Sequence, residues 1–111
     1  MRKITEHVKN PENDLLVITA DDPGHSKASR IYEIAGSETE GGPSKYAGLV
    51  IVFQDGPIGV DGINGVTHEV LLAIVADRIR TIQSGPYACR ANACALDHIE
   101  EALQWLPQYQ P

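Results

Sequence analysis

Residues 67–107 constrain the fold most, because they carry two helical patterns of similar length joined across Ser84-Gly85-Pro86 and ended by Pro107. Thr67 is a good N-cap for the first helix, Glu69 suits the positive end of its dipole, and Val66 and Leu71 are placed as a hydrophobic staple. Within it Leu71, Val75, Arg78 and Ile82 recur at helical spacing, and Leu72, Ile79 and Ile82 make a second stripe beside the first. The second helix, about residues 90–106, sets Asn92, Leu96, Ile99, Leu103 and Leu106 on one seam and leaves Asp97, Glu100 and Glu101 off it. Two such helices with a short turn pack as an antiparallel hairpin. Residues 70–76 are apolar all the way round, more than one partner helix can cover, so the pattern predicts self-association.

The preceding segment reads as strands. Residues 15–20 form an apolar run closed by Asp21-Asp22-Pro23-Gly24, a turn signal, and predict a first strand. A second spans about residues 27–35, with Arg30, Tyr32 and Ile34 on one face; its mixed faces suggest an edge or a pocket wall. Residues 36–44 read as a polar loop, the place expected to order on ligand binding. A third strand, residues 46–54, has the core Leu49-Val50-Ile51-Val52-Phe53, apolar on both faces and therefore expected at the centre of a meander. Between residues 55 and 66, Gly56, Gly59, Gly62 and Gly65 mark a connector. The expectation is an α+β fold in a single domain over residues 1–111. A small antiparallel sheet occupies about residues 14–55, and a helical hairpin about residues 66–107.

Charge and composition exclude several functions. A formal charge of -6 opposes non-specific attraction to DNA or RNA. The longest apolar run is far short of the roughly 20 residues a membrane span needs, and Met1-Arg2-Lys3 is followed by polar residues, so a cytosolic protein with no membrane partner is expected. Cys89 and Cys94 lack the spacing of a metal or redox motif and read as two reduced thiols. Asp21, Asp22 and His25 resemble an acid/base or metal cluster, but adjacent acids before Pro-Gly are more often turn formers. His68 and His98 have no nucleophile in a known motif, and the glycine connector lacks the lysine of a P-loop. No catalytic residue, metal site or cofactor is expected.

The arginines carry more information. Arg78 falls on an apolar seam, where an unpaired charge is costly, so it should meet an acid such as Asp97 or Glu101, a carbonyl, or an anionic ligand. Arg90 begins the second helix, where a cation opposes the dipole and an anion would relieve the mismatch. Arg30, on the second strand, has the bidentate fork suited to phosphate.

Several pieces together resemble a known hairpin. Asn64-Gly65-Val66-Thr67, residues 71–78, residues 83–92, Leu96 and residues 100–106, in that order, resemble the helical hairpin of small phage sponge proteins, shared by the first Thoeris anti-defence family and an anti-CBASS cyclic-nucleotide sponge. The sheet and Phe53-Gln54-Asp55-Gly56-Pro57 look more like the Thoeris anti-defence family. That resemblance implies a protein that sequesters a cyclic ADP-ribose isomer made by a TIR-domain enzyme, intact, in the cytoplasm of an infected bacterial host. It also implies a homo-oligomer of dimers building a hexamer, with cyclic oligonucleotides bound at a separate place near the hairpin turn. Carried over by residue, Phe53 would stack on adenine, with Gln54 beside it in the ligand set, and Asn64 would hydrogen-bond the ligand. Arg30 and Arg78 would neutralise the pyrophosphate, and Arg90 with Gly85 and Asn92 would form the second site. The family's turn phenylalanine is Tyr87 here, which keeps an aromatic ring. Competing readings are a cyclic di- or trinucleotide sponge acting against CBASS, an adaptor oligomer without a pocket, and an enzyme that cleaves the signal.

Overall fold

Side chains alternate across a strand, so pairing register decides which residues share a face. The computed structural model describes residues 1–23, 28–36 and 48–108. Four strands, β1 (Arg2–Ile4), β2 (Leu16–Ala20), β3 (Ile31–Gly36) and β4 (Leu49–Val52), form an antiparallel meander in that order. Their register places Ile4, Ile18, Ile34 and Leu49 in one cross-strand row and Arg2, Ala20, Tyr32 and Ile51 in the next on the same face. That face holds the buried centre of the sheet, Ala20, at 1% exposure. The opposite face carries the row Lys3, Thr19, Glu33 and Val50. Half-buried alternate positions along β3 follow the same logic, Tyr32, Ile34 and Gly36 inward against Ile31, Glu33 and Ala35 exposed.

Two expectations about the sheet are corrected. The strand expected over residues 46–54 is not central, since β4 lies at the sheet edge, and β3, for which mixed faces suggest an edge or a pocket wall, is not an edge but has neighbours on both sides. Apolar residues on both faces signal that a strand is covered, not its place in the order; here Leu49 and Val50 remain 51% and 58% exposed. A further strand, β1, was not foreseen, because three residues with two basic side chains give no alternating signal.

Between β1 and β2, 3-10 turns at Glu6–Lys9 and Pro11–Leu15 are pinned by side chains. Asn10 caps the second by accepting from the Glu12 N–H at 3.2 Å, and the His7 Nε2–H donates to the Leu16 carbonyl at 2.6 Å. The expected strand starts at residues 27 and 46, the loop at 36–44 apart from Gly36, and His25 lie outside the described residues. The glycine connector contains a short helix, α1 (Ile58–Asp61), that periodicity did not reveal.

The chain divides into two compact units, Met1–Gly65 and Val66–Pro111. The second holds α2 (His68–Gln83) and α3 (Arg90–Trp105), which pack together. Thr67 caps α2 as expected, its Oγ1 accepting from the Val70 N–H at 3.3 Å. On α3 the whole seam Asn92, Leu96, Ile99, Leu103 and Leu106 is half-buried. On α2 the stripe of Leu72, Ile79 and Ile82 is half-buried throughout, beside Ala76 at 1% exposure. Of the other stripe Leu71 and Ile82 are half-buried and Val75 is 44% exposed, and Val70 and Ile74, on neither stripe, stay 47% and 61% exposed. Arg78 is exposed with them, which corrects its assignment to a buried seam. Among the described residues the ion pair between the helices joins Arg80 Nη2 to Glu100 Oε1 at 3.1 Å, and neither Asp97 nor Glu101 pairs with Arg78.

Candidate ligand site at the end of the sheet

Where β4 leaves the sheet, the Phe53 N–H still donates to the Arg30 carbonyl at 2.9 Å, so these two residues continue the β3–β4 ladder. Alternation then puts Arg30, Tyr32, Ile51 and Phe53 on one face. The Phe53 ring meets Tyr32 edge-to-face, with centroids 5.4 Å apart and planes at 87°.

The Arg30 side chain turns along the loop rather than toward an acid. Its Nε–H donates to the Phe53 carbonyl at 3.0 Å and its Nη2–H to the Asn64 carbonyl at 3.0 Å. A guanidinium has five N–H donors, so most of its capacity is unspent. No carboxylate among the described residues pairs with it. A half-buried cation held by neutral carbonyls keeps its full charge for an external anion.

Its backbone is fixed from the other side by Asp21. The Asp21 Oδ1 accepts from the Arg30 N–H at 2.8 Å and the Ile31 N–H at 3.1 Å, while Ser29 Oγ donates to the Asp21 carbonyl at 2.8 Å. The Ile31 and Arg30 N–H groups hold the Asp21 carboxyl below its ordinary value of 3.8. This is the turn role favoured for the acidic pair; Asp22 faces the N-terminal amine at 3.4 Å.

The glycine connector is bound to the strand end by two side-chain amides. Gln54 Nε2 donates to the carbonyls of Gly56 at 3.2 Å and Gly62 at 2.7 Å, while its Oε1 accepts from the N–H groups of Asn64 at 2.9 Å and Gly65 at 3.2 Å. Asn64 reciprocates as a peptide mimic, Oδ1 accepting from the Asp55 N–H at 2.8 Å and Nδ2 donating to the Asp55 carbonyl at 2.9 Å. A Cβ at Gly65 would stand 2.5 Å from the Phe53 carbonyl oxygen and 2.6 Å from the Gln54 nitrogen, so only glycine allows the loop to lie this close. Gly62, at φ 74°, ends α1 in a conformation that favours glycine.

Arg30, Phe53, Gln54 and Asn64 are thus brought together, with an aromatic ring, a guanidinium that no carboxylate among the described residues meets, and a closed loop side by side. Pattern reading missed Tyr32 and Asp21 as members of this cluster. Tyr32 was legible as a same-face neighbour of Arg30, whereas the partners of the Asp21 carboxylate lie across a turn and leave no periodic trace.

The residues expected at the hairpin turn are described within the helical unit. Arg90 is exposed at the first position of α3, whose first turn holds no acid. The turn is clamped by Gln83, whose Oε1 accepts from the Cys89 N–H at 3.0 Å and whose Nε2 donates to the Cys89 carbonyl at 2.9 Å. Cys89 Sγ in turn accepts from the Asn92 N–H at 3.5 Å. A Cβ at Gly85 would meet only the Ile82 carbonyl oxygen, at 3.6 Å, so the chain itself does not require glycine there. Cys89 and Cys94 are free and exposed. Among the described residues no group of three His, Cys, Asp or Glu is arranged to hold a metal, and no helix is long and apolar enough to cross a membrane.

Comparison with known proteins places these observations in a family. Residues 45–107 match the family described as Acb2/Tad1, hairpin domain. Among curated proteins, the chain is 46% identical over 54 residues to "Thoeris anti-defense 1" of Bacillus phage SBSphiJ7. That match covers 49% of this chain and 38% of the relative, so the chain spans well under half the length of the relative it matches. The family match takes in β4, the strand end, the glycine connector and both helices of the hairpin, more than half of the chain: the chain belongs to the Acb2/Tad1 hairpin-domain family.

Proposed function

We propose that this chain is a phage anti-defence sponge that binds a cyclic ADP-ribose isomer made by a TIR-domain immune enzyme and holds it intact, so that the Thoeris effector is not activated. One observation carries the reading: the half-buried Arg30 guanidinium lies beside Phe53 and, among the described residues, is met by the Phe53 and Asn64 carbonyls and by no carboxylate. An aromatic platform next to an uncompensated fork suits a nucleotide with a pyrophosphate. Family membership and the match to a Thoeris anti-defence protein point the same way.

The roles follow from the chemistry available. Phe53 stacks on adenine, its ring orientation fixed by Tyr32. Arg30 neutralises phosphate, and Asn64, with one amide hydrogen and one lone pair unspent, bonds the ligand from the loop. Arg78, exposed on α2 and free of acids of its own chain among the described residues, keeps the pyrophosphate role that the resemblance assigns it. Charge is the second requirement: in a chain of net charge -6, a negative ligand binds only where cations are local. A sponge acts stoichiometrically, so slow release matters more than turnover, and a loop already closed in the free protein spares the ligand the cost of ordering it. The exposed Val70, Ile74 and Val75 favour an assembly of several copies, and the family resemblance makes that assembly dimers building a hexamer in the host cytoplasm.

A second reading has its own support. Arg90, exposed at the start of an α3 whose first turn lacks acids, favours an anionic cyclic oligonucleotide near the turn, with Gly85 and Asn92.

The test is chromatographic. A cyclic ADP-ribose isomer is measured before mixing with the protein, in the filtrate after mixing, and again after heat denaturation. Depletion followed by intact recovery is expected; an altered product means an enzyme, and no depletion means an assembly module.

A further inference from the structure

Gln54 was expected among the residues that touch the ligand, but its amide has nothing left to offer one. Both Nε2 hydrogens are donated, to the Gly56 and Gly62 carbonyls, and both Oε1 lone pairs accept, from the Asn64 and Gly65 N–H groups. These four bonds reach the start and the end of the glycine connector from one side chain. They hold Asn64 where its carbonyl receives Arg30 at 3.0 Å, and they press Gly65 onto the Phe53–Gln54 peptide.

We propose that Gln54 is a positioning residue: it preassembles the cluster of Arg30, Phe53 and Asn64 by fixing the 55–65 loop before any ligand arrives. This rests on the sponge reading for the identity of the ligand, not for the brace. Glycines at positions 56, 59, 62 and 65 give the unbraced connector many conformations, and the entropy of ordering it would otherwise fall on the binding step. A residue of this kind acts on the fraction of molecules that is competent to bind. Losing it raises the apparent Kd by the inverse of that fraction. The loss appears in the association rate, whereas a lost ligand contact appears in the dissociation rate.

Two variants separate the possibilities. Gln54→Met keeps the length and removes all four bonds. Gln54→Glu keeps the acceptor for Asn64 and Gly65 but sets a carboxylate oxygen against the Gly56 and Gly62 carbonyls. Hydrogen exchange of the Asn64 and Gly65 amides, read without ligand, should accelerate about tenfold or more in Gln54→Met and much less in Gln54→Glu. With a purified cyclic ADP-ribose isomer, Gln54→Met should associate roughly tenfold or more slowly and dissociate at the wild-type rate. The melting of the helical hairpin, followed by far-UV circular dichroism, should not move. Below about pH 4.3 the glutamate of Gln54→Glu protonates and can donate to a carbonyl again, so its association rate should rise toward wild type as the pH falls.

Wild-type exchange at Asn64 and Gly65 in Gln54→Met overturns the proposal whatever the ligand is. Faster dissociation with unchanged association overturns it in favour of a direct contact. Failure of the wild-type protein to bind the isomer refutes the sponge reading, while the exchange arm still decides whether the brace exists.

Discussion

Replacing Gly65 with alanine puts one methyl group against the peptide that supports the candidate site. The new carbon would lie 2.5 Å from the Phe53 carbonyl oxygen and 2.6 Å from the Gln54 nitrogen, and both are backbone atoms that cannot rotate away. The loop must therefore lift off the strand end. That movement pulls the Asn64 and Gly65 N–H groups from Gln54 and the Asn64 carbonyl from Arg30. Overpacking of this kind costs about 1–3 kcal/mol. For a chain of this size that is a fall in Tm of roughly 5 °C or more in a signal reporting on the sheet unit, such as the NMR resonances of the strand amides followed on heating. Gly85→Ala is the control, because its added carbon meets only the Ile82 carbonyl oxygen at an ordinary 3.6 Å; it should stay within about 0.5 kcal/mol of wild type. Ligand retention should fall with Gly65→Ala and persist with Gly85→Ala. Equal melting and equal retention in the two variants would refute the claim that the loop is locked against the Phe53–Gln54 peptide.

Further outcomes follow from other parts of the chain. The folded Asp21 carboxyl lies below 3.8, so its stabilising contribution is full above that value and is lost as the pH falls through the folded one; thermal midpoints of Asp21→Asn should therefore depend less on pH in that acidic window than wild type. Ile74→Glu, at a position 61% exposed in one chain, should leave the helical signal intact yet lower the mass seen by light scattering, and a monomeric wild-type protein would overturn the assembly reading. Arg90→Ala should weaken a cyclic oligonucleotide by roughly 10- to 150-fold in fluorescence polarisation and leave the cyclic ADP-ribose isomer unaffected, since a hydrogen bond to a charged group is worth about 1.5–3 kcal/mol.

The helical hairpin was the most legible part of the chain. Thr67 and Pro107 mark its ends, and the seam from Asn92 to Leu106 packs as its spacing requires. The reading failed where two answers share one pattern. α2 carries two apolar stripes, and spacing does not say which is covered; Leu72 and Ile79 are half-buried while Val75 and Arg78 are exposed. Likewise, Leu49 to Val52 are apolar on both faces, which a central strand and an edge strand awaiting cover both satisfy. Arg30, Phe53 and Asn64 were legible as a set through their resemblance to a family, and the structure joins them by hydrogen bonds. What holds them was hidden: the Gln54 brace and the Asp21 carboxylate act between side chain and backbone across loops, where no periodicity betrays a contact. Gln54 itself spends its amide on four bonds to the connector, which is the ground for the positioning role proposed above.

Isothermal titration of a purified cyclic ADP-ribose isomer into wild type, Arg30→Gln and Phe53→Ala measures what the Arg30–Phe53 cluster contributes. Saturable binding by the wild-type protein is predicted, with affinity lowered roughly tenfold or more in each variant while the helical signal persists. Identical isotherms for all three proteins would contradict the account, because the cation and the ring at the end of the sheet would then have no part in holding the ligand.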